Sequence, residues 1–354
     1  MKVTAAVVRG TGAPLSVEEL ELGELQPDEV RVRMVATGIC PTDSTARNGA
    51  YPVEWPAVLG HEGAGVVEDV GSAVRSVAAG DHVVLAPASC GTCRQCRRGE
   101  MAYCEHCIAM NLSGRRSALS AGGEAVSSHF FGQSSFSTYA NVLERSVVKV
   151  DPDVPLEMLA PLGCGLQTGA GAVLNDRRPE AATSLAVIGA GAVGSGAIMA
   201  ARIAGCTTVV AVDLHDNRLD TARGLGAAHT VNSARTDMLE ELRRITGGTG
   251  VDHVVDTTSV PAVLREAAQA PAVRGTLVAV GNTTFGAEAP FEIGESQVKG
   301  WTSTMSVQGS SVYQDFIVRP CTFIPRGPSA TAPSHRDGSH GWRRSCSTSR
   351  RARC

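Results

Sequence analysis

Leu185-Ala-Val-Ile188-Gly189-Ala-Gly191-Ala-Val-Gly194 decides how the second half of this 354-residue chain folds. A short apolar run reads as a buried strand. Three glycines in the spacing GxGxxG follow it and open the apolar segment Val193–Ala204. In such a strand–turn–helix unit the first glycine makes the tight turn and the second lets the backbone approach a pyrophosphate. The third allows close helix–strand packing, and the helix N-terminus supplies partial positive charge. Gly189, Gly191, Val193 and Gly194 are therefore expected to hold a dinucleotide. The next apolar run, Val209–Val212, ends in Asp213, 24 residues past Gly189 and near the offset of an acid that takes the ribose hydroxyls. A helix-capping or surface acid is the plainer role for such a residue. As a ribose ligand Asp213 would also repel a 2′-phosphate, so NAD is expected over NADP. Arg218, just beyond, would partly offset that repulsion.

Outward from this stretch, the texture from about Leu156 is one of short apolar runs separated by helical segments: Leu185–Ile188, Val209–Val212, Val254–Val255 and Thr276–Val280. Strands alternating with helices imply parallel βαβ units, hence an α/β fold with a doubly wound parallel sheet over about 156–318. Leu185–Ala204 is apolar for about the length of a membrane span, with only Arg202 charged. Glycines at 189, 191, 194 and 196 argue against one spanning helix, so no membrane association is expected. Residues 1–155 read instead as strands. Val30, Val32, Met34 and Ala36 alternate with Arg31, Arg33 and Val35 at the period of a half-buried strand, and Gly63–Gly71 and His82–Leu85 look similar. The Ser- and Gly-rich residues 113–128 are expected to form a loop.

A formal net charge of −3 offers no whole-chain argument for nucleic acid or an anionic membrane as partner. No signal-peptide stretch precedes Arg9, so a cytoplasmic, reducing setting is expected, in which eleven cysteines favour metal and thiol chemistry over disulfides. Four of them, Cys90-x2-Cys93-x2-Cys96-x7-Cys104, have the spacing of a closed tetrahedral zinc site. With all four positions filled by sulfur, such a site is structural. A catalytic zinc needs three protein ligands and one open position. Cys40 in GICPTD, His61 in GHEG and Cys164 in GCGLQTG stand in suggestive surroundings, although each read singly is as easily a buried cysteine or a turn histidine.

Together, GICPTD, GHEGAGVVEDVG, the four-cysteine loop, GCGLQTGAG and GAGAVG with Asp213 run in order over about residues 2–318. In this the chain resembles the zinc-dependent, medium-chain alcohol dehydrogenases. PLGCGLQTGAGAV and FFGQSSFSTYANV look most like the aryl-alcohol (benzyl alcohol) branch, with the class III, glutathione-dependent formaldehyde enzymes second. The resemblance implies a GroES-like catalytic domain at 1–155 and a Rossmann-type domain at 156–318. It implies two zinc ions per chain and NAD, with an alcohol or aldehyde as the small-molecule substrate and a homodimer or homotetramer as the assembly.

Carried over residue by residue, Cys40, His61 and Cys164 would ligate the catalytic zinc, Asp43 would hold His61, and Glu62 would lie behind the metal. Thr42 would hydrogen-bond the substrate hydroxyl, and Thr168 would line the nicotinamide pocket. The implied reaction is reversible oxidation of a primary, aromatic or long-chain alcohol to an aldehyde, by Lewis-acid catalysis and hydride transfer to the nicotinamide. Two positions depart from the family pattern. Pro41 stands where a basic residue often meets the pyrophosphate, and Thr45 where a histidine often ends the proton relay. By the same resemblance, Ala86 stands where the family often has a bulky aromatic of the substrate pocket, and is expected to leave room.

Residues 319–354 break the pattern. They hold eight arginines, no lysine and one acid, a charge of +7 that leaves −10 on the remainder. This composition cannot bury a core. A reading-frame shift near Val318 is the expected origin, with a natural basic tail as the plainer alternative. A chain that binds zinc and nucleotide but turns over poorly is then the rival to an active enzyme.

Overall fold

The computed structural model describes residues 1–113 and 118–318, so the expectation about 319–354 lies outside the described residues. A six-stranded sheet is built from Ser184–Ile188, Thr208–Asp213, His229–Asn232, Val251–Asp256, Pro271–Ala279 and Thr302–Met305. Taken in chain order, its strands lie third, second, first, fourth, fifth and sixth across the sheet, and all neighbours are parallel. This is the doubly wound order, with its switch point between Ser184–Ile188 and Val251–Asp256, where ligands bind beyond the strand C-termini. Successive strand residues face opposite ways. Leu185, Val187, Val209 and Ala211 therefore pack with Ala197, Ile198 and Leu219 on one face. Ala186, Ile188, Val210 and Val212 pack with Met238 and Leu242 on the other. Covering both faces explains why these strands read as unbroken apolar runs.

The helix Ala192–Ile203 follows the glycine turn, and the helix Gly165–Gly171 lies against it, backbone to backbone. A Cβ on Gly169 would stand 1.8 Å from the Val193 carbonyl oxygen, and one on Gly196 2.4 Å from that of Leu166. Cys164, which caps the helix Gly165–Gly171, is thereby fixed beside the nucleotide fingerprint.

The first half folds as two five-stranded, antiparallel sheets. One runs Ala57–Val58, Lys2–Val8, Leu15–Leu22, Leu119–Ala121, Glu124–Val126, and the other Val147–Lys149, His82–Leu85, Gly63–Val70, Glu29–Thr37, Tyr139–Leu143. Val30 and Val32 of the strand Glu29–Thr37 are fully buried while Arg33 is exposed, as the alternation requires. The loop expected over 113–128 is corrected in part. Leu119–Ala121 and Glu124–Val126 pair as a hairpin about Gly122 and Gly123, whose φ values of 55° and 91° give the tight turn that joins antiparallel strands. Among the described residues no helix is long and apolar enough to cross a membrane.

Candidate metal and nucleotide sites

Cys40 caps the helix Pro41–Arg47, whose first position is Pro41, where a missing N–H forfeits no helical bond. The Cys40 N–H donates to Asp43 Oδ2 at 3.0 Å. Asp43 Oδ1 accepts from the Gly60 N–H at 3.1 Å and meets His61 Nδ1 at 2.9 Å. One buried carboxylate thus ties the start of this helix to the GHEG turn and fixes the imidazole with Nε2 pointing away from Asp43. His61 is fully buried, and its Nε2 has no hydrogen-bond partner among the described residues. An enclosed polar atom left unpaired is costly and calls for an explanation.

The neighbours supply one. The ligand atoms of Cys40, His61, Glu62 and Cys164 all lie within 4.8 Å of one another. Two thiols, an unpaired imidazole nitrogen and a carboxylate are a donor set that fits zinc. The Glu62 carboxylate, expected behind the metal, comes within 4.8 Å of the other three donors. Its Oε1 also accepts from the Gly165 N–H at 3.2 Å. Burial pushes the Glu62 carboxyl up to about 7. The hydrogen bond with Cys164 draws the Cys40 thiol down to about 4, and the same bond, with complete burial, holds Cys164 well above the usual thiol range. Burial disfavours charge on His61, but Asp43, which bonds it, and the neighbouring Cys40 together outweigh that and raise the imidazole to about 10. This is a strongly electron-rich pocket.

Thr42 is buried with Oγ1 3.5 Å from Cys40 Sγ, and Thr168 is buried on the helix Gly165–Gly171. Thr45 turns its hydroxyl back to the Pro41 carbonyl at 3.0 Å. Ala86 does not leave the expected room: it is fully enclosed and packs with Ala64, Val84 and Leu162.

The second cluster is Cys90, Cys93, Cys96 and Cys104, with sulfurs within 4.8 Å of one another. Backbone amides face the sulfurs: Cys93 N–H to Cys90 at 3.2 Å, Cys96 N–H to Cys93 at 3.4 Å and Cys90 N–H to Cys104 at 3.3 Å. Amide donors stabilise thiolates. At Cys90 they outweigh desolvation and bring the thiol down to about 5. All eight described cysteines are free of disulfides.

At the fingerprint, Gly189 has φ 90°, and a Cβ on Gly194 would stand 1.9 Å from the Gly189 carbonyl oxygen. A Cβ on Gly191 would meet nothing within 4 Å, so open space lies over the helix N-terminus where a phosphate would approach. Val193 is half-buried in the first turn. Asp213 is buried and accepts from Ala190 N–H at 2.8 Å and His215 N–H at 3.0 Å, with Arg218 Nη1 3.6 Å away. The acid therefore also braces the glycine turn. Sequence reading passed over Phe130, Phe131 and Gln133, which surround His61 in space. The only local signal was the phrase FFGQSSF, whose role is invisible without its distant partner.

Residues 26–152 match the family model for the alcohol dehydrogenase GroES-like domain, and residues 192–319 that for zinc-binding dehydrogenases. A geraniol dehydrogenase of Castellaniella defragrans is 40% identical over 329 residues, covering 91% of this chain and 88% of its own length. Among solved structures, an alcohol dehydrogenase zinc-binding domain protein from Burkholderia ambifaria is 48% identical with a TM-score of 0.88, covering 91% of this chain and 88% of that one. A benzyl alcohol dehydrogenase from Acinetobacter calcoaceticus is 41% identical with a TM-score of 0.87, covering 91% and 89%.

Proposed function

The chain belongs to the zinc-dependent, medium-chain alcohol dehydrogenases, and from that premise we propose that it oxidises a primary alcohol reversibly to the aldehyde with NAD. The observation that carries this reading is the partnerless, fully buried Nε2 of His61 among the sulfurs of Cys40 and Cys164. Zinc and NAD, when bound, supply Lewis acidity toward an alcohol hydroxyl and an acceptor for its hydride.

The residues do the rest. Cys40, His61 and Cys164 hold the metal, and Asp43 fixes the His61 tautomer through Nδ1. The Glu62 carboxylate lies in the same group and offsets positive charge there. Thr42 holds the substrate hydroxyl and begins its proton path. Because the Thr45 hydroxyl is engaged with Pro41, the proton leaves by another route. Gly189, Gly191, Val193 and Gly194 seat the pyrophosphate, Thr168 lines the nicotinamide pocket, and the charge of Asp213 selects against a 2′-phosphate. Cys90, Cys93, Cys96 and Cys104 hold a second, structural zinc. The division into a catalytic half (1–155) and a nucleotide-binding half (156–318), and assembly as a homodimer or homotetramer, belong to the same proposal.

The relatives named for geraniol and for benzyl alcohol support an aromatic or long-chain alcohol. Both compounds carry the hydroxyl on a carbon next to an unsaturated one. Purified protein given benzyl alcohol or geraniol with NAD tests the proposal through the absorbance of reduced nicotinamide. Turnover of either, with little of a saturated short-chain alcohol, is expected. Binding of NAD with no reduction by any alcohol contradicts the proposal.

A further inference from the structure

The segment Phe130–Phe136 has no task in the metal and nucleotide sites as described, yet it wraps the turn that carries His61. The Phe131 ring stacks on the His61 imidazole, with centroids 4.6 Å and planes 27° apart. Phe130 meets the same imidazole edge-on, with centroids 5.6 Å apart. Beneath them Gln133 is completely enclosed. Its Oε1 accepts from the Gly63 N–H at 3.0 Å and its Nε2 donates to the His61 carbonyl at 3.0 Å, gripping the backbone on both sides of Glu62. The Ser135 and Phe136 N–H groups donate to the carbonyls of Gly60 at 2.9 Å and Leu59 at 3.0 Å. So close an approach requires glycine at 60, where a Cβ would stand 2.6 Å from the Phe136 nitrogen.

Phe131 itself has φ 51° and ψ 32°, the left-handed region that a bulky side chain rarely occupies. Backbone held there at a functional site is a reason to ask what the conformation delivers. Here it delivers the ring to the face of His61. The Asp43 contact fixes only one atom of the imidazole, Nδ1, and leaves the ring free to rock about it. A flat ring against its face removes that freedom.

We propose that Phe131 is a positioning residue of the metal centre, setting the plane of His61 and hence the direction of Nε2, with Gln133 fixing the backbone beneath. This rests on the reading of His61 as a zinc ligand, and the test separates the two. Phe131→Gly keeps the left-handed backbone without steric cost and removes the ring, whereas Phe131→Tyr keeps the ring. Zinc release from the purified holoprotein to a chromogenic chelator is followed without substrate. Phe131→Gly should release one ion about 10–100-fold faster than wild type, the range for losing a group that orients a ligand. Phe131→Tyr should match wild type, and the ion of the four-cysteine loop should leave at an unchanged rate in both, reporting an intact fold. Equal release from wild type and Phe131→Gly overturns the proposal. So does faster loss of both ions, or a Phe131→Tyr variant that behaves like the glycine one. His61→Ala is the reference: it should hold one zinc fewer, and if it holds as many as wild type, the reading beneath the proposal fails as well.

Discussion

Replacing Asp43 by Asn tests how the proposed zinc ligands Cys40 and His61 are held. Three donors converge on this carboxylate: the Cys40 N–H, the Gly60 N–H and His61 Nδ1. Asn offers a single oxygen. Its better orientation keeps that oxygen on Gly60 and His61 and turns the NH2 group toward the part-buried Cys40 N–H, leaving a donor facing a donor. One such unpaired group costs about 1–3 kcal/mol. The two surviving bonds lose their charge assistance, which roughly halves them. With the two halvings together worth about 1.5–3 kcal/mol, the sum is about 2.5–6 kcal/mol, or a factor of roughly 70 to 20,000. Because Cys40 and His61 are the two groups that Asp43 joins, the loss should fall on zinc affinity as well as on stability. Dialysis against chelator-buffered zinc, followed by metal analysis, reads the first, and thermal unfolding of the zinc-loaded protein reads the second. Asp43→Ala, which drops all three bonds, should be worse on both. Wild-type zinc affinity in both variants would refute the reasoning, because the ligands would then be held without this carboxylate.

Asp213→Ser removes the charge that faces a 2′-phosphate while a hydroxyl can still accept one of the two amides that Asp213 holds. The ratio of NADP to NAD use, read from kcat/KM with each, should rise about tenfold or more, and an unchanged ratio removes Asp213 from the cofactor site. Cys93→Ser should lose the loop's zinc and lower the unfolding temperature, because structural zinc contributes folding energy, while turnover at low temperature is retained. A melting temperature equal to wild type contradicts a structural role. Gly169→Ala places a Cβ where the Val193 carbonyl stands 1.8 Å away, an overlap with backbone that no rotamer relieves. Urea unfolding should show a loss of about 1–3 kcal/mol or more, and an unmoved midpoint would mean that the two helices are not packed as described.

What could be read in the chain beforehand was whatever is written locally. The glycine turn and Asp213 share one strand–turn–helix–strand unit, and the four-cysteine loop is a single short stretch. Both therefore declare themselves by spacing. The strands Ser184–Ile188 and Thr208–Asp213 were legible because both faces are buried and their inner residues, Leu185–Ile188 and Val209–Val212, are all apolar. The hairpin at Leu119–Val126 was missed because Ser and Gly carry little strand signal, even though a Gly-Gly turn was in view. Contacts far apart in the chain left no such trace. Phe131 and Gln133 reach His61 across some 70 residues. Only the folded packing reveals that Ala86 is closed in by its neighbours, or that the Glu62 carboxylate comes within 4.8 Å of the Cys40, His61 and Cys164 donors. Cys40, His61 and Cys164 lie between these cases, each unremarkable alone and meaningful only as a set.

The central claim is that the chain holds two zinc ions at sites with different duties. Elemental analysis of wild-type protein and of Cys40→Ala, both purified without chelators, tests it most directly. The account predicts two zinc ions per chain in the wild type and one in the variant, which keeps its fold and loses alcohol-dependent reduction of NAD. A wild type with a single zinc, or a Cys40→Ala variant that retains two, would contradict it.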